Sequence, residues 1–431
     1  MPDLFRILTL QSGHNAAVVL LGVAALGAAA GLVGAFALLR KRALMGDALA
    51  HATLPGIAAA FLLASALRAA GVGIEPRSLP VLLAGAAITA VLGIFTVHAI
   101  RRAAHPRIPE DAAIGVVLSV FFGAGYVLLS IIQVQSSGSH AGLKTFILGQ
   151  AAAMSAADAQ ILALVALLSL LACTLLYKEF RLVCFDDAFA RTQGWPVAAL
   201  DTLMMTLVVI VTVVGLQAVG LVLVIALLII PPAAARFWSD RLGAVLLLAT
   251  LIGAASGYFG AALSAAHAGL PTGAIVVLCA AVFFILSALF APRHGILARA
   301  LRRHALNRRI ALDHALRAID DLARSSPIPT PTLDRGSLQR ALAAFGRSAS
   351  IPRLVRRGVL EPEPSGSLRL TPAGQRAAAA ATRQHRLWET YLVARAAIPE
   401  AHPPHPADLI EHAVDPDLLD RLERDLNLPP S

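Results

Sequence analysis

Apolar residues run almost unbroken for about 17 to 25 positions at a time, and short polar or basic stretches separate the runs. They fall at 16–39, 43–65, 79–100, 112–133, 158–177, 199–217, 219–235, 242–263 and 272–291. At about 1.5 Å per residue, a helix of such length crosses a hydrocarbon core about 30 Å thick. The pattern therefore predicts nine membrane-spanning helices. The stretch from Ser137 to Asp158 is too short between its polar ends to cross, and reads as a re-entrant or interfacial helix.

Near Arg293 the pattern changes to soluble helix periodicity, dense in arginine and broken by a Pro/Ser/Thr-rich turn. This places a transmembrane domain at 1–295 and a second domain at 296–431. "LDHALRAIDDLA" and "GSLQRALAAFG" read as helices, and "SASIPRLVRRGVLEPEPSGSLRLTPAG" as a short helix followed by a hairpin with Ser365-Gly366 at its tip. "ATRQHRLWETYLV" then reads as a long helix. Helix, helix, short helix, hairpin and helix is a winged helix-turn-helix order. The fold class is thus an all-α polytopic membrane protein with a C-terminal cytoplasmic winged-helix-like domain.

Composition agrees. Of 431 residues 57% are hydrophobic and only 5% aromatic, and the mean hydropathy is +0.73, too apolar for one soluble core. A net charge of +10 raises the question of nucleic acid, but the cations of the membrane half sit in alternate loops. Arg40-Lys41-Arg42, Arg101-Arg102-Arg107, Lys178-Arg181-Arg191, Arg236-Arg241 and Arg293 fall on one side, against Arg6, Arg68, Arg77 and Lys144 on the other. The rich side is expected in the cytoplasm, which puts the N-terminus outside and the C-terminal domain inside. Cys173, Cys184 and Cys279 have no metal-type spacing and are expected as free thiols. The N-terminus shows no clear cleaved signal peptide.

Candidate chemistry enters with "LMGDALAHATLPG", Leu44 to Gly56. Asp47 and His51 are four apart and share a helix face, offering oxygen and nitrogen donors that suit zinc, manganese or iron. Pro55 cannot hydrogen-bond the carbonyl of His51, so Pro55-Gly56 predicts a kink beside a polar pathway. Two donors are too few to hold an ion, so others must come from another span or a symmetry mate. The plainer reading makes Asp47 a helix cap or an arginine partner near the membrane boundary.

"RKRALMGDALAHATLPGIAAAF" resembles the second-span motif of membrane subunits of ATP-driven zinc, manganese and iron uptake transporters. "EDAAIG" (Glu110 to Gly115), "KEFRLVCFDDAFARTQGWP" (Lys178 to Pro196) and "GLVLVIALLIIPPAAAR" (Gly220 to Arg236) agree with it in order. The resemblance implies a prokaryotic plasma-membrane permease that works as a pair of identical or paralogous subunits. Its partners would be a cytoplasmic ATPase and an extracytoplasmic metal-binding protein, with a divalent metal ion, manganese slightly favoured, as substrate. The chain has no GxxxxGK[ST] phosphate loop, so it is not expected to be the ATPase, and the resemblance implies the permease subunit. Coupling to that ATPase is assigned to Phe185, Asp186, Asp187, Ala190 and Gly194, with a lipid-anchored interfacial turn as the plainer reading of the same stretch.

The C-terminal domain is similar to metal-dependent repressors of the diphtheria-toxin-repressor class, most specifically at "RQHRLWETYL" and "ADLIEHAV". The similarity puts regulatory metal ligands at Asp313, His385, Glu389, Asp408, Glu411 and His412. Leu316 stands where some members have a carboxylate, and His405 is one residue out of register. Pro352 interrupts the recognition region unless it stands in the first turn, and Arg353, Arg356 and Arg357 are candidate nucleic-acid contacts. The domain is expected to sense cytoplasmic metal. Two other readings are a membrane-tethered DNA-binding regulator and a siderophore or corrinoid permease.

Overall fold

The computed structural model describes residues 4–40 other than 12, 43–104 other than 77, 107, 109–135, 154–324 other than 268, 332–343 and 350–396. Two compact units divide the chain, Met1–Ala298 and Arg299–Ser431.

The first unit is helical: α1 (Leu4–Leu8), α2 (His14–Leu39), α3 (Ala43–Ala69), α4 (Leu79–Ala104), α5 (Glu110–Gln135), α6 (Ala156–Leu175), α7 (Tyr177–Phe185), α8 (Asp187–Thr192), α9 (Val197–Val219), α10 (Leu221–Ala235), α11 (Leu242–Ala266) and α12 (Thr272–Phe290). Eight of these, α2 to α6 with α9, α11 and α12, are long and apolar enough to cross a membrane. The remaining predicted run, 219–235, becomes α10, whose 15 residues rise only about 22 Å. Gly220 alone separates α9 from α10. Its φ of 89° is one that glycine, lacking Cβ, adopts without strain.

α2 runs through the centre. Every residue from Ala29 to Ala37 is buried, as expected of a helix that is apolar on all faces. Small residues let its neighbours approach to backbone contact. A Cβ added at Gly27 would strike the carbonyl of Gly253, one at Gly31 that of Ala249, and one at Gly34 that of Leu228. This is the small-residue packing of membrane helices, where close van der Waals fit replaces a hydrophobic driving force. Thr89, Thr174, Thr206, Thr250 and Ser256 each return their hydroxyl to the carbonyl four residues back, which satisfies them without water.

α6 starts at a capping box. Asp158 N–H donates to Ser155 Oγ at 3.2 Å and Ser155 N–H to Asp158 Oδ2 at 3.0 Å. Ser155 to Asp158 therefore open a full span and do not close a re-entrant segment, because their side chains supply the partners a helix start lacks. Residues 136–153, with the rest of that expected segment, lie outside the described residues.

The second unit contains most of α13 (Ile296–Arg324), β1 (Thr332–Leu333), α14 (Arg335–Ala343), α15 (Ile351–Arg356), β2 (Leu360–Pro362), β3 (Leu368–Leu370) and α16 (Pro372–Ala396). The antiparallel sheet has the order β1-β3-β2. The expected hairpin turns at Gly366, φ 84°, while β1, too short for a periodic signal, pairs with β3 as a third strand. Leu316, Ile319, Leu338, Leu354, Leu360 and Leu370 meet in its core.

Candidate functional site

Asp47 and His51 both belong to α3, one turn apart; the Asp47 side chain lies outside the described residues. His51 is partly buried and meets Phe122 of α5 edge to face, with ring centroids 4.9 Å apart and planes at 83°. Phe122 is itself 42% exposed, so this wall lies near the surface of a single chain.

α3 continues as one helix through Pro55-Gly56, where the kink is expected. Neighbouring backbone closes on the site from two sides. A Cβ at Gly125 of α5 would lie 3.0 Å from Pro55 N. On the other side, a Cβ at Gly56 would strike the carbonyl of Gly85 of α4, and the reverse holds too. Gly56 therefore permits close helix approach, and packing retains the helix that proline weakens.

A second feature lies between α6 and α9. Asp186 caps α8, its Oδ1 accepting from Phe189 N–H at 2.8 Å. Asp187 sits in the first turn, where its charge favours the helix dipole. Gly194, φ 79°, ends the helix in a Schellman arrangement. Trp195 N–H donates to the Ala190 carbonyl and Gly194 N–H to that of Arg191, both at 3.0 Å. Ala190 is fully buried while Phe185, Phe189 and Trp195 are 64%, 49% and 43% exposed. A rigid knob results, rooted by alanine and tipped with aromatic rings.

Arg40 ties this knob to the bundle. Its Nε donates to Asp201 Oδ1 at 3.1 Å and its Nη1 to the Val183 carbonyl at 2.9 Å. One guanidinium thus joins the end of α2, the end of α7 and the first turns of α9. Sequence reading counts Arg40 only as a loop cation; Asp201, 161 residues away, gives no local sign of the pair. Burial pushes the thiol of Cys184 in α7 up to about 11, so it carries no thiolate at neutral pH.

Among the described residues no three of His, Cys, Asp and Glu come together to hold a metal ion. In the second unit, Arg317 of α13 hydrogen-bonds Nδ1 of His385 on α16, which brings His385 beside the turn after Asp313. Leu316 points into the core. Glu389 lies in α16 with its side chain outside the described residues, as are Asp408, Glu411 and His412 entirely. Pro352 does stand in the first turn of α15, after Ser350. Arg356 and Arg357 are exposed and Arg353 is partly buried.

Residues 14–291 match the ABC 3 transport family. Residues 371–430 match the iron dependent repressor, metal binding and dimerisation domain. The chain is 37% identical over 391 residues to the manganese transport system membrane protein MntC of Bacillus subtilis (strain 168), covering 90% of this chain and 87% of that protein. That alignment is longer than the first compact unit, so it extends into the second. The zinc transport system membrane protein TroC of Treponema pallidum (strain Nichols) is 37% identical over 301 residues, covering 70% of this chain and 97% of TroC. Among solved structures, PsaBC from Streptococcus pneumoniae in complex with Fab superimposes with a TM-score of 0.57 at 29% identity, over 68% of this chain and 97% of that one.

Proposed function

The chain belongs to the ABC 3 transport family, and from that premise we propose that it is the membrane subunit of an importer carrying divalent transition-metal ions, manganese first, into a prokaryotic cell. The observation that carries this reading is His51, partly buried against Phe122, one turn from Asp47 on a helix packed backbone to backbone with α4 and α5. The imidazole offers a borderline donor and the carboxylate a hard one, a pair suited to manganese, iron or zinc rather than to a bulky organic chelate. Because that wall lies near the surface of one chain, a second permease subunit, identical or paralogous, completes the pathway. An extracytoplasmic metal-binding protein delivers the ion. Energy comes from a separate cytoplasmic ATPase gripping the aromatic knob at Phe185, Asp186, Asp187, Ala190 and Gly194. The arginine-rich loops lie in the cytoplasm, with the N-terminus outside and the C-terminal domain inside, where it responds to metal. Manganese is favoured because the MntC relative matches both units of the chain.

The test is uptake of radioactive manganese in cells carrying Asp47→Ala or His51→Ala at unchanged protein level. Each substitution removes one metal donor and is expected to reduce uptake about tenfold or more; undiminished uptake removes the site. A winged fold with exposed Arg356 and Arg357 supports a second reading for the appendage, DNA contact, which metal-dependent gel retardation with the full chain distinguishes.

A further inference from the structure

A cavity of about 960 Å³ opens where Tyr177, Lys178 and Arg181 of α7 face Asp240, Arg241 and the first turn of α11. Its charge is unbalanced. Lys178, Arg181 and Arg241 line it, and none makes an ion pair among the described residues. Asp240, the one acid among its described lining residues, is already engaged. Its Oδ1 accepts from His294 at 2.8 Å and its Oδ2 from Arg293 at 2.9 Å, and these bonds hold its carboxyl below the usual range. Leu242, Gly243 and Ala244 form the wall, and no side chain caps the helix they begin. Gly243 stands on the wall opposite the Tyr177 hydroxyl, which a Cβ there would meet at 3.4 Å, so a larger side chain would enter the space between them. The rim also holds apolar Leu182 and Phe185. The cavity lies just after the end of α6 and at the start of α11; Trp238, two residues before Asp240 in the chain, is 39% exposed and is of a residue type enriched at headgroup depth.

From this we infer that the cavity is a binding site for a phosphate-bearing anion, supplied by the headgroup of an anionic phospholipid or by free phosphate. Three uncompensated cations and open helix N–H groups match phosphate oxygens. Basic pockets between membrane helices take up anionic headgroups for the same reason. The site is separate from the path of the transported ion, and its test does not depend on transport.

The experiment is native mass spectrometry of the purified full-length chain with phosphatidylglycerol, phosphatidylcholine or inorganic phosphate added. Retention of phosphatidylglycerol over phosphatidylcholine is expected, falling about tenfold or more in the triple variant Lys178→Ala, Arg181→Ala, Arg241→Ala. Gly243→Leu, which keeps every charge but fills the space, is expected to lose the lipid as well, with helical content unchanged by circular dichroism in both variants. Retention of inorganic phosphate alone, lost in the same variants, assigns the free anion as the source. Equal retention of both lipids without phosphate binding, or undiminished binding by the variants, overturns the proposal. So does a triple variant that keeps its lipid and loses only a co-purifying protein.

Discussion

Arg40 shows how much one side chain can organise. It is largely screened from solvent, at 16% exposure with Asp201 at 13%, and its two donors satisfy a carboxylate and a backbone carbonyl from different elements. Removing one member takes the opposite charge from a largely buried group, at a cost below the about 3–5 kcal/mol of a fully buried pair. Arg40→Ala and Asp201→Ala are each expected to lower transport. If Arg40 positions the knob, reconstituted complexes of Arg40→Lys will transport fewer ions per ATP hydrolysed than wild type. Lysine keeps the charge but reaches only one of the two acceptors. A purely stabilising role would instead reduce both rates together. Gly56 has a role beyond the kink that the sequence announces: it is the surface on which α4 lies.

Among elements, small-residue registers decide which helices meet. Gly27, Gly31 and Gly34 on α2 face Gly253, Ala249 and Leu228, so the central helix is locked to α11 and α10 by backbone contact. Gly27→Leu is expected to destabilise the folded chain by about 1–3 kcal/mol or more, through overpacking against a carbonyl that cannot retreat. It should appear as a lower melting temperature in detergent. Gly273→Ala is the control. A Cβ there meets only ordinary contacts, 3.7 Å from the Val219 carbonyl, and the change should stay within about 1 kcal/mol of neutral. Runs of apolar residues mark spans without ordering them, because each run is equally greasy toward lipid and toward neighbours. The shortness of α10 followed from Gly220, which a hydropathy window averages away.

At the scale of the molecule, a membrane bundle of the ABC 3 family is joined to a winged-helix unit with its own core of Leu316, Ile319, Leu338, Leu354 and Leu370. Separate cores predict separable functions. A chain ending at residue 298 should still insert in the membrane and take up manganese, while losing any dependence of uptake on intracellular metal. Radioactive uptake in metal-starved and metal-loaded cells measures both. Loss of all activity on truncation, with the bundle still present in the membrane, would favour the anchored-regulator reading.

What the sequence determined by itself was whatever is written in local chemistry: the apolar spans, the change of solvent after the last of them, the winged order around Ser365-Gly366, and the motifs of two families. Each depends on residues a few positions apart, where helix period and turn geometry act directly. Only the tertiary structure decided that Arg40 reaches Asp201, that His51 turns to Phe122, that Arg317 lies against His385, and that Lys178, Arg181 and Arg241 surround one cavity. Those juxtapositions rest on packing between elements far apart in the chain. Glycine registers and buried charge set that packing, and neither has a period to be read.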